Sequence, residues 1–169
     1  LGGDGNDTLI GGVGADTITG GDGTDTVSYV GATGQVVVNL DTGVNTGSDA
    51  EGDVITQVEN VVASANDDDI TGSSGTNRLE GRGGDDVLAG LGGADELVGG
   101  GGTDTADYSL SGAAVTIDLD AGTGLGGHAE GDTLETIENV TGSDHNDTLT
   151  GDDFVNTLRG GAGDDILIG

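Results

Sequence analysis

The chain has 169 residues, with only three basic side chains against 32 Asp and Glu, for a formal net charge of −29. It carries 38 glycines, no Pro, Cys, Met or Trp, and just three aromatic residues, Tyr29, Tyr108 and Phe154. Such a chain cannot fill a thick core or form disulfides and thiolate metal sites. It lacks the basic patches that nucleic acid or an anionic membrane surface demands, and no apolar run approaches the length of a membrane span. Neither a nucleic-acid partner nor membrane insertion is expected.

High charge with low hydrophobicity is also the composition of a disordered acidic tail. A tail, however, has no need to place aliphatic residues at a fixed interval, and this chain does. Residues 2–28 read "GGDGNDTLIGGVGADTITGGDGTDTVS", a nine-residue pattern of Gly, Gly, any, Gly, any, Asp, any, aliphatic, any, three times over. An insert of 34 residues, 29–62, follows. Five nonapeptides then occupy residues 63–107, a second 34-residue insert spans 108–141, and further nonapeptides fill 142–169. The inserts align without a gap: "EGDVITQVENVV" matches "EGDTLETIENVT" at an offset of 79 residues. The expected organisation is one continuous elongated domain, 1–28, 29–62, 63–107, 108–141 and 142–169, built from a 79-residue super-repeat. Leu1 reads as the tail of an earlier repeat and Gly169 as the first residue of a later one, which suggests a piece of a longer chain.

The aliphatic beat passes through the inserts. Val36 lies nine residues after Val27, Val115 nine after Ala106, Val61 nine before Ile70 and Val140 nine before Leu149. Val36, Val38 and Leu40 alternate as a half-buried strand does, as do Val115, Ile117 and Leu119. Each insert is therefore expected to begin as a longer strand, leave the stack as a Gly-rich lateral loop near 41–53 or 120–132, and return.

Positions 1 to 6 of a nonapeptide suit a turn, because Gly accepts positive φ and lets backbone approach a ligand closely. Positions 7 to 9 suit a short strand with position 8 inward. Two nonapeptides then close one flattened coil, and stacked coils pair their strands in parallel about 4.8 Å apart. Superposed position-6 carboxylates would repel, and a hard cation between turns removes the conflict. Ca²⁺ takes mixed carbonyl and carboxylate shells, whereas Mg²⁺ prefers strict octahedra and its own waters. Zinc lacks Cys here and has only two separated His. The candidate ligands are Asp7, Asp16, Asp25, Asp68, Asn77, Asp86, Asp95, Asp104, Asp147, Asn156 and Asp165. Turn carbonyls near Gly2, Gly11, Gly20, Gly72, Gly81, Gly90, Gly99, Gly142, Gly151 and Gly160 would complete the shells.

"GGDGNDTLI", "GGVGADTIT" and "GGAGDDILI" closely resemble the calcium-binding nonapeptide of the repeats-in-toxin (RTX) family. Eleven copies, covering 99 residues, carry the resemblance. It implies an all-β parallel β-roll, a β-helix-like solenoid with ions in rows along both edges, here with two lateral inserts. It also implies type I secretion from a Gram-negative bacterium and folding in external calcium, outside the cell or on its surface. In such a roll, turns of one edge are two repeats apart, which pairs Asp7 with Asp25, Asp68 with Asp86, Asp86 with Asp104, and Asp147 with Asp165, and puts Asp16 on the other edge.

Departures weaken particular sites. Asn77 and Asn156 keep an oxygen and lose the charge. Ala63 replaces a position-1 Gly, and Asn66, His145 and Phe154 replace position-4 Gly, so the first repeat after each insert is irregular. Glu59 and Glu138 at position 6 of a degenerate repeat either end an ion row or are solvated, the second being preferred. Asp49, Glu51, Asp53, Glu130 and Asp132 in the lateral loops could hold further calcium. Ser143, Asp144 and His145 are triad residue types, but neighbours in one turn cannot supply triad geometry, and no catalytic site is expected. The preferred function is a calcium-binding structural module of a large secreted or surface protein of adhesin or surface-layer type. The alternative is the C-terminal folding and secretion module of an exported hydrolase. Expected partners are calcium ions and neighbouring repeats or copies of the chain.

Overall fold

The computed structural model describes residues 1–169. The position-8 residues stack as an inner column on each of two facing sheets. On one, Leu9 pairs in register with Val27, Val27 with Val61, Val61 with Leu79, and Leu79 with Leu97. On the other, Ile70 pairs with Leu88, Leu88 with Ala106, Ala106 with Val140, and Val140 with Leu158. All these pairings are parallel, and most partners are 18 residues apart, so one coil is two nonapeptides. One sheet has ten strands and its opposite a run of six, with strands of only two to six residues. The two-residue pitch of a strand sends position 8 inward and positions 7 and 9 outward.

The core is the thin seam the composition allows. Val27, Val61, Ile70, Leu79, Leu88 and Leu97 are fully buried. Toward the chain ends the seam opens, and Leu167 is half exposed. Position 8 is aliphatic in nearly every repeat because it faces its own copies above and below. Burying each such side chain contributes about 1.5–3 kcal/mol.

The inserts differ from expectation in two respects. First, Val38, not Val36, pairs with Ile70, and Ile117, not Val115, pairs with Leu149. Val36 and Val115 therefore stand at position 6, the place of the aspartate. Each donates its backbone N–H to the carboxylate of the next coil, Val36 to Asp68 Oδ1 at 2.7 Å and Val115 to Asp147 Oδ1 at 2.8 Å. Second, the loop is not a simple lateral excursion. In the second insert the chain runs along Thr116–Asp118, turns back antiparallel as Thr123–Leu125, makes a 3₁₀ turn at Gly127–Ala129, and goes forward again as Thr133–Glu135. The first of these strands pairs with the following coil and the last with the preceding one, Leu134 opposite Leu97. The first insert repeats the course with Val37–Asn39, Ser48–Ala50 and Val54–Thr56.

The two inserts enter opposite sheets. The looping strands of the second, Thr116–Asp118, Thr123–Leu125 and Thr133–Glu135, lie within the ten-stranded sheet, and its closing strand Asn139–Thr141 rejoins the six-stranded one. The looping strands of the first pair with Thr17–Thr19 and Asp69–Ser73, on the other face. A 79-residue period holds five nonapeptides, an odd number of half-coils, plus one insert, and successive units present opposite faces.

Candidate metal centres along the two edges

The turns of positions 1 to 6 line the two edges of the roll, and position 6 stitches one coil to the next. The backbone N–H of Asp7 donates to Asp25 Oδ1 at 2.8 Å, that of Asp68 to Asp86 at 2.7 Å, that of Asp86 to Asp104 at 2.8 Å, and that of Asp147 to Asp165 at 2.9 Å. The four expected pairs are thus neighbours on the edges, through one carboxylate oxygen each.

The other oxygen sorts the sites. Oδ2 of Asp7, Asp16, Asp25, Asp86, Asp95 and Asp104 is buried without any hydrogen-bond partner. Each of these oxygens folds back over the position-1 glycine of its own repeat. A Cβ on Gly2 would run into Asp7 Oδ2 and lie 2.6 Å from the Gly20 carbonyl oxygen of the next coil. A Cβ on Gly81 would likewise meet Asp86 Oδ2 and, at 2.8 Å, the Gly99 carbonyl. Gly at position 1 is therefore needed for close approach. Positive φ is the property of positions 2 and 4, as at Gly3 and Gly5.

These oxygens carry an electrostatic cost. Burial, with Asp104 and Asp68 nearby, pushes the Asp86 carboxyl up to about 7, although the Asp68 N–H works against the rise. Burial and Asp132 push Asp95 up to about 7 against the Asn77 N–H. Asp104 is raised by burial, then by Glu138 and Asp85. Buried carboxylates with no counter-charge must take up a proton or a cation. No three His, Cys, Asp or Glu side chains converge anywhere, so a cation here would draw on backbone carbonyls as well as on one or two carboxylates. Unpartnered oxygens beside carbonyls, with no nitrogen or sulfur donor, fit Ca²⁺. Asp7, Asp16, Asp25, Asp86, Asp95 and Asp104 would hold it, and at Asp86, Asp95 and Asp104 its charge would replace the proton that burial otherwise favours.

Four other predicted ligands already have the corresponding oxygen hydrogen-bonded within the protein. Asp68 Oδ2 accepts the Ser64 N–H and hydroxyl, both at 2.8 Å. Asp147 Oδ2 accepts the Ser143 N–H at 2.6 Å, and the Ser143 hydroxyl donates to Oδ1 at 2.9 Å. Asn77 Oδ1 accepts the Ser73 N–H at 2.7 Å while Nδ2 donates to the Glu59 carbonyl at 2.7 Å. Asn156 does the same with the Asp152 N–H and the Glu138 carbonyl. Asp165 lies in the last turn, where its Oδ2 would meet a Cβ on Gly160.

Three features were not read from the sequence. Glu59 and Glu138 are not simply solvated: Oε2 of each accepts the N–H of Asp25 or Asp104 at 2.8 Å and continues the position-6 column. Asp53 and Asp132, candidate loop ligands, have both carboxylate oxygens engaged within the protein. They also stand in the columns, accepting the N–H of Asp16 and Asp95 on Oδ1. Their Oδ2 is taken by Tyr29 and Tyr108 hydroxyls at 2.8 and 3.0 Å. The repeated Tyr-to-Asp spacing of 24 residues was the available signal. Glu51 and Glu130 close their own loops by accepting the N–H of Gly47 and Gly126.

A parallel β-roll whose edges are stacked Gly–Asp turns with buried, unpartnered carboxylate oxygens defines a class of solenoid built around rows of hard cations. The profile of the RTX calcium-binding nonapeptide repeat family matches residues 1–29, 71–106 and 141–169, more than half of the chain, and the chain belongs to that family. The matched stretches leave out nearly all of both inserts. No match was found among curated proteins. No helix is long and apolar enough to cross a membrane.

Proposed function

We propose that this chain is a calcium-loaded structural segment of a large secreted or cell-surface bacterial protein of adhesin or surface-layer type, folding when it meets calcium outside the cell. The observation that carries the reading is the set of six buried carboxylate oxygens without partners, distributed over both edges of the roll. In a calcium-poor compartment those groups and the net charge of −29 oppose compaction. In external calcium, binding free energy becomes folding free energy. The ordered 79-residue super-repeat supports a length-building role, since repeats that stack only on neighbours extend a rod.

Small-angle scattering of the chain tests the role. At saturating calcium the expected particle is a stiff rod. In calcium-free buffer it is an expanded chain, with a radius of gyration near the unfolded scaling. A compact, round particle in calcium would sink the reading.

A further inference from the structure

The turns of the roll fall into two conformations, and the division does not follow the aspartates. In the repeats starting at residues 2, 11, 20, 81, 90, 99 and 160, positions 2 and 4 both have positive φ. This holds even where position 2 is not glycine, at Arg82 with φ 79° and Leu91 with φ 68°. Side chains pay for that conformation, so the turn type is imposed by the site. In the repeats starting at 63, 72, 142 and 151 neither position has positive φ. There, the position-2 N–H of Ser64, Ser73, Ser143 or Asp152 instead donates to the position-6 oxygen of the same repeat.

All six buried orphan oxygens lie in repeats of the first kind. Four of their carboxylates belong to nearly inaccessible residues: Asp25 and Asp104 at 0%, Asp86 at 1% and Asp95 at 2% relative exposure. The second kind is just as buried, Asp68 at 2% and Asp147 at 1%, yet its oxygens are satisfied. A buried carboxylate with its hydrogen bonds made has no oxygen to give at low cost, and the Asn77 amide places two N–H groups where a cation would need lone pairs. At the same junctions Val36 and Val115 occupy position 6 and offer no side-chain oxygen.

We infer that calcium is confined to the turns of the first kind, and that the two nonapeptides after each insert close without it. Ser64, Ser143 and the two asparagines take the cation's place. With the insert, whose Asp53 and Asp132 are closed by tyrosine, each such pair forms a metal-free joint between calcium-loaded stretches. The inference rests on the calcium reading above.

The test is the number of calcium ions bound per chain, by equilibrium dialysis and titration calorimetry, for the unaltered chain, Asp86→Asn and Asp68→Asn, each checked for β-structure by circular dichroism in saturating calcium. Asp86→Asn should lose at least one ion and Asp68→Asn none. Equal losses, or no loss from Asp86→Asn, would overturn the inference. An unaltered chain that binds no calcium would overturn the calcium reading with it, which separates the two failures. Ser64→Ala provides a readout that survives poor folding of Asp68→Asn. In saturating calcium it should lower the Tm, because no ion replaces the lost hydroxyl; an unchanged Tm would overturn the inference.

Discussion

A methyl group added at Gly81 would run into the Asp86 carboxylate and the Gly99 carbonyl, whereas at Gly92, in the next repeat, it would meet nothing within 4 Å. Gly81→Ala is therefore expected to cost about 1–3 kcal/mol, as overpacking does, and to raise the calcium midpoint, while Gly92→Ala changes little. Calcium-dependent unfolding of the two variants measures the difference, and equal effects would refute the close-approach account of position 1. Asp86→Ala should shift the calcium midpoint further than Asn77→Ala, since Asn77 already makes its hydrogen bonds within the protein. The raised carboxyls give a pH dependence of definite sign. Asp86 and Asp95 rise from 3.8 to about 7 on folding without metal. The folded chain thus binds more protons than the unfolded one between those values. Their contribution is full below the unfolded value and is lost as pH rises through about 7. In calcium-free buffer, β-content should increase as pH is lowered from 8 toward 4.5; a decrease would contradict this.

The coil and the insert are legible to different degrees. The nonapeptide is a local code: glycines for the turn, aspartate for the edge, an aliphatic for the seam. Its period and the two-repeat coil could be read directly, and Leu79, Leu88 and Leu97 lie where the pattern puts them. The phase of the inserts could not. Val36 and Val38 both point inward, and a strand shifted by two residues keeps the same face, so the nine-residue beat at Val36 fitted either phase. The Tyr29–Asp53 and Tyr108–Asp132 bonds join residues across the whole loop, and nothing local announces them. They fasten the start of each insert to the aspartate that joins the position-6 column through the Asp16 or Asp95 N–H. Tyr108→Phe removes the proton donor of a buried carboxylate oxygen and is expected to cost about 1–3 kcal/mol. Urea unfolding in saturating calcium would show it, and a variant as stable as the parent would remove the tyrosine from the account.

At the scale of the whole molecule, the odd number of nonapeptides per super-repeat places successive inserts in opposite sheets, which counting the period could have revealed. The same shift moves each kind of turn from one edge to the other. Asp7 and Asp25 stand on one edge, and their counterparts Asp86 and Asp104 on the other. The thin seam and the charge of −29 leave the unloaded chain short of stabilisation, and the affinity expected of an extracellular calcium module is weak, about 10⁻⁴–10⁻³ M. Folding and binding should therefore be one transition. Far-UV circular dichroism during a calcium titration at pH 7.5 tests this most directly. The account predicts a disordered spectrum in chelator and a cooperative gain of β-structure as calcium is added. A chain that keeps its full β-signal in chelator would contradict it.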